Sequence, residues 1–66
     1  MKIRVNGADR EVPPGTSVKA LVELEGMGSG PVAVERNGDV VRRKDHASTL
    51  LAENDEVEIV HFVGGG

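Results

Sequence analysis

The 66-residue chain closes on Gly64-Gly65-Gly66, so three of its nine glycines occupy the last three positions. The chemistry on offer is that of a glycyl α-carboxylate, which is ionised at pH 7, is a poor electrophile and exchanges an oxygen only after activation. ATP supplies such activation. Adenylation makes a mixed anhydride with a good leaving group, after which sulfur can be installed as a thiocarboxylate or an amine can form an amide. Glycine has no Cβ, so the backbone of such an end can enter a slot too narrow for other residues and approach a nucleotide held by another protein. The bland alternative is an end that merely frays. The expected division is a folded unit over residues 1–63 and a flexible glycine tail over 64–66, with Gly66 as the group that is modified.

The remaining chemistry-bearing residues offer less. His46 and His61 are far apart in sequence and lack the companion ligands of a metal site or the paired nucleophile of a catalytic one, so neither role is expected. Gly7 and Gly38 each follow an Asn, with no glycine-rich run opening into a helix and no Lys-Ser/Thr pair, so no phosphate loop is present and ATP is expected on a partner. Arg42-Arg43-Lys44 reads as a solvated loop. Glu53, Asp55, Glu56 and Glu58 make the final hairpin acidic, which could meet basic residues of an activating enzyme and would also guard an edge strand.

Size and composition narrow the class. A domain this small buries only about 60% of the surface its unfolded chain exposes, so an enclosed active site would compete with the core for apolar residues, and a self-contained enzyme is not expected. The chain has no cysteine, which removes disulfides, thiolate metal sites and a cysteine nucleophile and suits a reducing, cytoplasmic location. A net charge of −3 and a single aromatic residue, Phe62, leave neither a basic footprint nor a stacking platform for nucleic acid. No apolar run approaches a membrane span, and Met1-Lys2-Ile3-Arg4 opens with alternating charge where a signal peptide would be apolar. A chain monomeric when free is expected.

The elements that must carry the tail follow from periodicity. Lys2 to Asn6 alternates with Ile3 and Val5 on one side, Asn6-Gly7 supplies a tight hairpin turn, and Ala8 to Val12 returns. Pro13-Pro14-Gly15 ends that strand. Thr16 or Ser17 caps a helix that buries Val18, Leu21 and Val22 and stops at Gly26, Gly28 and Gly30. Val32 and Val34 lead into a second Asn-Gly turn at Asn37-Gly38, with Val40-Val41 beyond it. Ala47 to Ala52 is expected to make one helical turn with Leu50 as its core member. After a turn at Asn54-Asp55, Glu56 to Val63 alternates, Val57, Ile59 and His61 facing one way and Glu58, Val60 and Phe62 the other. The order β-β-α-β-β-short helix-β calls for a mixed four- or five-stranded sheet crossed by one main helix, an α+β fold of β-grasp plan. With Val57 and Ile59 facing the helix, Val60 and Phe62 form an exposed apolar patch beside the tail, and Val60, Phe62 and Val63 are the expected partner-binding residues.

Nearly the whole chain resembles the ThiS family of ubiquitin-like sulfur carriers of thiamine biosynthesis. The stretches that carry the resemblance are Ile3-Arg4-Val5-Asn6-Gly7, Val32-Ala33-Val34-Glu35-Arg36-Asn37-Gly38, and Asn54-Asp55-Glu56-Val57-Glu58-Ile59-Val60-His61-Phe62-Val63-Gly64-Gly65-Gly66. It departs from the family pattern at Arg42, where Pro is frequent, and at Asn54, where Gly is common. The resemblance implies that a ThiF-like adenylyltransferase activates Gly66 with ATP, that a cysteine-derived persulfide supplies sulfur for a C-terminal thiocarboxylate, and that a ThiG-like thiazole synthase receives it. It implies a co-substrate and not a catalyst. Other readings of the same residues are a small subunit of molybdopterin synthase, a protein modifier joined to lysine, and a β-grasp binding module with an inert tail.

Overall fold

The computed structural model describes residues 1–62, so Val63, Gly64, Gly65 and Gly66, and with them the expected boundary after residue 63, lie outside the described residues. Strand β1 (Lys2–Val5) pairs antiparallel with β2 (Ala8–Glu11), helix α1 (Val18–Leu24) follows, and β3 (Val32–Arg36) pairs antiparallel with β4 (Asp39–Val41). A 3₁₀ turn over Arg43–Asp45 leads to β5 (Glu56–His61). The sheet runs β2-β1-β5-β3-β4, with β5 at its centre, parallel to β1 and antiparallel to β3. This is the β-grasp plan with five strands. Both hairpins turn on Asn-Gly pairs at positive φ, +51° and +83° at Asn6-Gly7 and +51° and +87° at Asn37-Gly38, which match the twist of the strands they join.

The helix forms as its spacing predicts. The hydroxyl of Ser17 caps it by accepting from the Ala20 N–H at 3.1 Å, while Thr16 is buried and donates to the Pro13 carbonyl instead. At the other end the Met27 N–H reaches the Val22 carbonyl and the Gly26 N–H reaches that of Glu23, the paired bonds of a glycine-closed C-terminus. Val18, Leu21 and Val22 pack on Ile3, Val5, Val34, Val57 and Ile59 from the facing side of the sheet. Ile3, Val18 and Leu21 have no exposed surface at all.

The connection after β4 differs from expectation. The helical turn lies earlier, over Arg43–Asp45, and Leu51 fills the core while Leu50 is exposed. Thr49 closes that turn by donating from both its N–H and its hydroxyl to the Asp45 carbonyl. The chain then runs extended beside the residues before α1: the Val18 N–H donates to Thr49, the Leu51 N–H donates to Thr16, and Ser17 bridges Leu50. Extended backbone sends successive side chains to opposite sides, so seating Leu51 inward turns Leu50 out. Arg42 has φ −65°, the angle to which proline is locked, and Asn54 sits at φ +69°, so each local conformation suits the residue type that the family resemblance favours there.

Candidate functional site

The central strand β5 leads directly toward Gly64-Gly65-Gly66, and its surroundings define the site. Its alternation is as expected: Val57 and Ile59 are buried under α1, and Val60 and Phe62 stand on the opposite face, each 53% exposed. Ala33 lies directly across from Val60, the Phe62 N–H donates to the Pro31 carbonyl, and Val40 extends the apolar surface on β4. Glu35 and Glu58 face each other across β3 and β5 on this same side, a like-charge pairing that opposes sheet formation. Neither has an ion-pair partner among the described residues. The open face therefore joins an apolar patch to a carboxylate pair. Of the three expected partner-binding residues, Val60 and Phe62 lie together there; Val63, like the tail residues Gly64 to Gly66, is outside the described residues.

Two asparagines fix β5 from either side, a role that sequence reading assigned only to the turns. The Asn6 amide replaces a main-chain peptide group: its Nδ2 donates to the Ile59 carbonyl at 3.1 Å and its Oδ1 accepts from the Ile59 N–H at 2.8 Å. On the other flank the Asn37 N–H donates to the Glu56 carbonyl, and Asn37 Oδ1 accepts from the Glu56 N–H at 2.9 Å. The amide side chain offers a donor and an acceptor side by side on separate atoms, whereas an ionised aspartate only accepts, which is why aspartate in the same turns would not serve. Asn6→Ala removes two partly buried bonds and places a Cβ-bearing residue without a local hydrogen bond at φ +51°. A loss of about 2–3 kcal/mol in unfolding free energy is expected by denaturant titration.

Asp55 is the other residue whose role the sequence hid. By type and position it belongs with the acidic residues of the final hairpin, yet it is 5% exposed. Its carboxylate accepts from Arg36 Nε at 2.7 Å, from Asn37 Nδ2 at 3.0 Å and from the Ala52 N–H at 2.7 Å. Burial pushes the Asp55 carboxyl upward, but the hydrogen bonds from Ala52, Asn37 and Arg36, with the Arg36 charge, outweigh it and hold it below the ordinary aspartate range. This cluster ties the turn before β5 to the end of β3. Glu53, Glu56 and Glu58 remain exposed.

Each histidine gives one ring nitrogen to a backbone carbonyl. His46 is buried and donates from Nε2 to the Val41 carbonyl at 3.0 Å, and His61 does the same to Ser29 at 3.1 Å. Among the described residues no cluster of three His, Cys, Asp or Glu could hold a metal ion, and no helix is long and apolar enough to cross a membrane. Arg42, Arg43 and Lys44 are exposed and form no ion pair among the described residues.

Comparison with known proteins supports the same picture. The sulfur carrier protein ThiS of Bacillus subtilis is 32% identical over 65 residues, spanning 97% of this chain and 98% of that protein. A thiazole synthase of Magnetococcus marinus is 46% identical over 68 residues that include all of this chain and only 20% of the synthase. The chain thus spans about a fifth of the length of that relative. The crystal structure of the thiamine biosynthesis protein ThiS from Geobacter metallireducens superposes with a TM-score of 0.82 at 32% identity, each chain fully covered. A match to the sequence pattern of the ThiS family runs over residues 3–66, through β5 and the three glycines that follow it, and this chain belongs to that family.

Proposed function

We propose that this chain is a sulfur carrier for thiazole formation in thiamine biosynthesis and that its working group is the α-carboxylate of Gly66. The observation that carries this reading is the family match that continues through the central strand to Gly66. In the first step a carboxylate oxygen of Gly66 attacks the α-phosphorus of ATP held by a ThiF-like adenylyltransferase, and pyrophosphate leaves. In the second, the terminal sulfur of a persulfide attacks the acyl carbon and AMP leaves. A thiol then cleaves the resulting sulfur–sulfur bond, is itself oxidised to the disulfide, and releases the thiocarboxylate. The chain acts as co-substrate: it binds no nucleotide in this scheme and returns as the carboxylate after delivering sulfur.

The length relation to the Magnetococcus protein supports a thiazole synthase as recipient, because a stretch similar to this whole chain occurs within a protein of that name. A cysteine-free chain fits the reducing cytoplasm, where thiols are plentiful. The test is ATP–pyrophosphate exchange by the adenylyltransferase, which should depend on the 66-residue chain and vanish when its carboxyl is amidated. The open face is the docking surface in this scheme. Phe62→Ala should raise the apparent KM for the carrier about 30-fold, the loss of an anchor worth roughly 2 kcal/mol. Thermal unfolding should barely move, because the ring is half exposed and outside the core cluster. An unchanged KM would remove Phe62 from the interface.

A further inference from the structure

The central strand of this sheet has an unused edge. In the β3–β5 ladder the hydrogen-bonded pairs are set at both ends: Phe62 donates to Pro31, and Asn37 donates to Glu56. Directly opposed pairs alternate between bonded and non-bonded in an antiparallel ladder, so Glu56, Glu58, Val60 and Phe62 spend their main-chain groups on β3. Val57, Ile59 and His61 therefore aim theirs toward β1. Val57 accepts from the Asn6 N–H, and Ile59 is held at both groups by the Asn6 side chain. His61 comes next, roughly 6.6 Å further along the strand. By then β1 has already left through the Asn6-Gly7 turn, and among the described residues neither the His61 N–H nor its carbonyl has a partner on that side.

Among the described residues, the Asn6-Gly7 turn beyond β1 sends no side chain across this edge past the Asn6 amide. A Cβ built on Gly7 would meet nothing within 4 Å. The His61 ring is turned to the helix side, where it bonds Ser29, so it does not cover its own backbone. Sheet edges are normally blunted by lysine, proline or a bulge, and none stands between Ile59 and Phe62. The residues beyond end in three glycines, so a protein that must hold them in register finds main-chain groups and no side chains to grip.

We propose that the adenylating partner inserts an extended peptide segment into this notch, continuing the line of β1 and pairing by main-chain hydrogen bonds with His61. The proposal rests on the reading of Gly66 as the activated group and adds how that group is aimed: strand pairing fixes the direction of the backbone leading to it, while Val60 and Phe62 seat the open face. A second copy of the chain is the less favoured occupant, since within the described residues the free edge is a single residue long, too little for a stable dimer.

Amide exchange measured by NMR on the ¹⁵N-labelled 66-residue chain tests this, alone and saturated with the adenylyltransferase and ATP. The His61 amide should exchange freely in the isolated chain and become protected in the complex, whereas Val60, already bonded to β3, should be protected in both. His61→Pro, which removes the N–H, should raise the apparent KM about tenfold, the worth of roughly 1.4 kcal/mol, while His61→Ala, which keeps it, should not. Free exchange at His61 in a complex that still adenylates Gly66 would overturn strand pairing and leave the carrier reading intact. Absence of adenylation would overturn the carrier reading and the pairing with it. Protection that appears without enzyme and grows with chain concentration would assign the edge to a second copy and overturn the proposed occupant.

Discussion

Deleting Gly66, or adding one residue after it, is expected to abolish sulfur loading while leaving the melting temperature within about 4 °C of the parent chain, the shift that roughly 1 kcal/mol produces in a domain this small. The deletion is informative because a glycyl carboxylate remains, now on Gly65. What changes is reach: one residue of chain is about 3.5 Å, whereas a reacting group misplaced by about 1 Å already costs on the order of a hundredfold in rate. Stability should hold because, among the described residues, the buried core cluster runs from Ile3 to Ile59 and leaves out His61 and Phe62. The checks are pyrophosphate exchange for the chemistry and calorimetry for the fold. A melting point lowered by tens of degrees would make the end structural and remove the reason for assigning it to chemistry.

The largest expected effect on stability belongs to Asp55. Asp55→Ala leaves the Arg36 guanidinium, the Asn37 amide and the Ala52 N–H without their shared acceptor. Removing one member of a buried pair costs about 3–5 kcal/mol, and the lower end applies because the Arg36 side chain is 32% exposed. At about 0.05–0.15 kcal/mol per residue, a domain of this length has roughly 3–10 kcal/mol in all, so the variant should lose about a third or more of its stability and melt well below the parent chain by circular dichroism. The pH dependence follows from the sign of the shift. The folded-state carboxyl lies below its unfolded value, so its contribution is complete above the unfolded pKa of about 3.9 and is lost as pH falls through the lower folded value. Asp55→Asn should accordingly flatten the acid limb of the stability curve while lowering the plateau near neutrality. An acid limb as steep as that of the parent chain would show that another carboxylate controls it.

The sheet and the helix were legible because each rests on a local signal: strict alternation in β1 and β5, Asn-Gly at both hairpins, and Val18, Leu21 and Val22 at helical spacing behind a serine cap. The exposed faces of Val60 and Phe62 were legible for the same reason, since alternation fixes both sides of a strand once one is assigned. What escaped depends on residues brought together from afar. Leu50 and Leu51 are equivalent by composition, and only the bridge to Ser17, which is not a periodic feature, decides between them. Asp55 looks like one more acid in a run until Arg36 and Asn37 arrive from β3 and its turn. The asparagine side chains read as turn formers, and their second use on Ile59 and Glu56 needs the register of the central strand. Local chemistry thus announced the fold and the exposed apolar face, and the clamps that hold β5 became visible only with the sheet assembled.

The central claim is that the last carbonyl of the chain is what other proteins charge and unload. Intact-mass spectrometry of the 66-residue chain after incubation with the adenylyltransferase, ATP and a persulfide donor tests it most directly. The account predicts a gain equal to the replacement of one oxygen by one sulfur, located by fragmentation on Gly66. Unchanged mass in a reaction that consumes ATP, or sulfur found on any other residue, would contradict it.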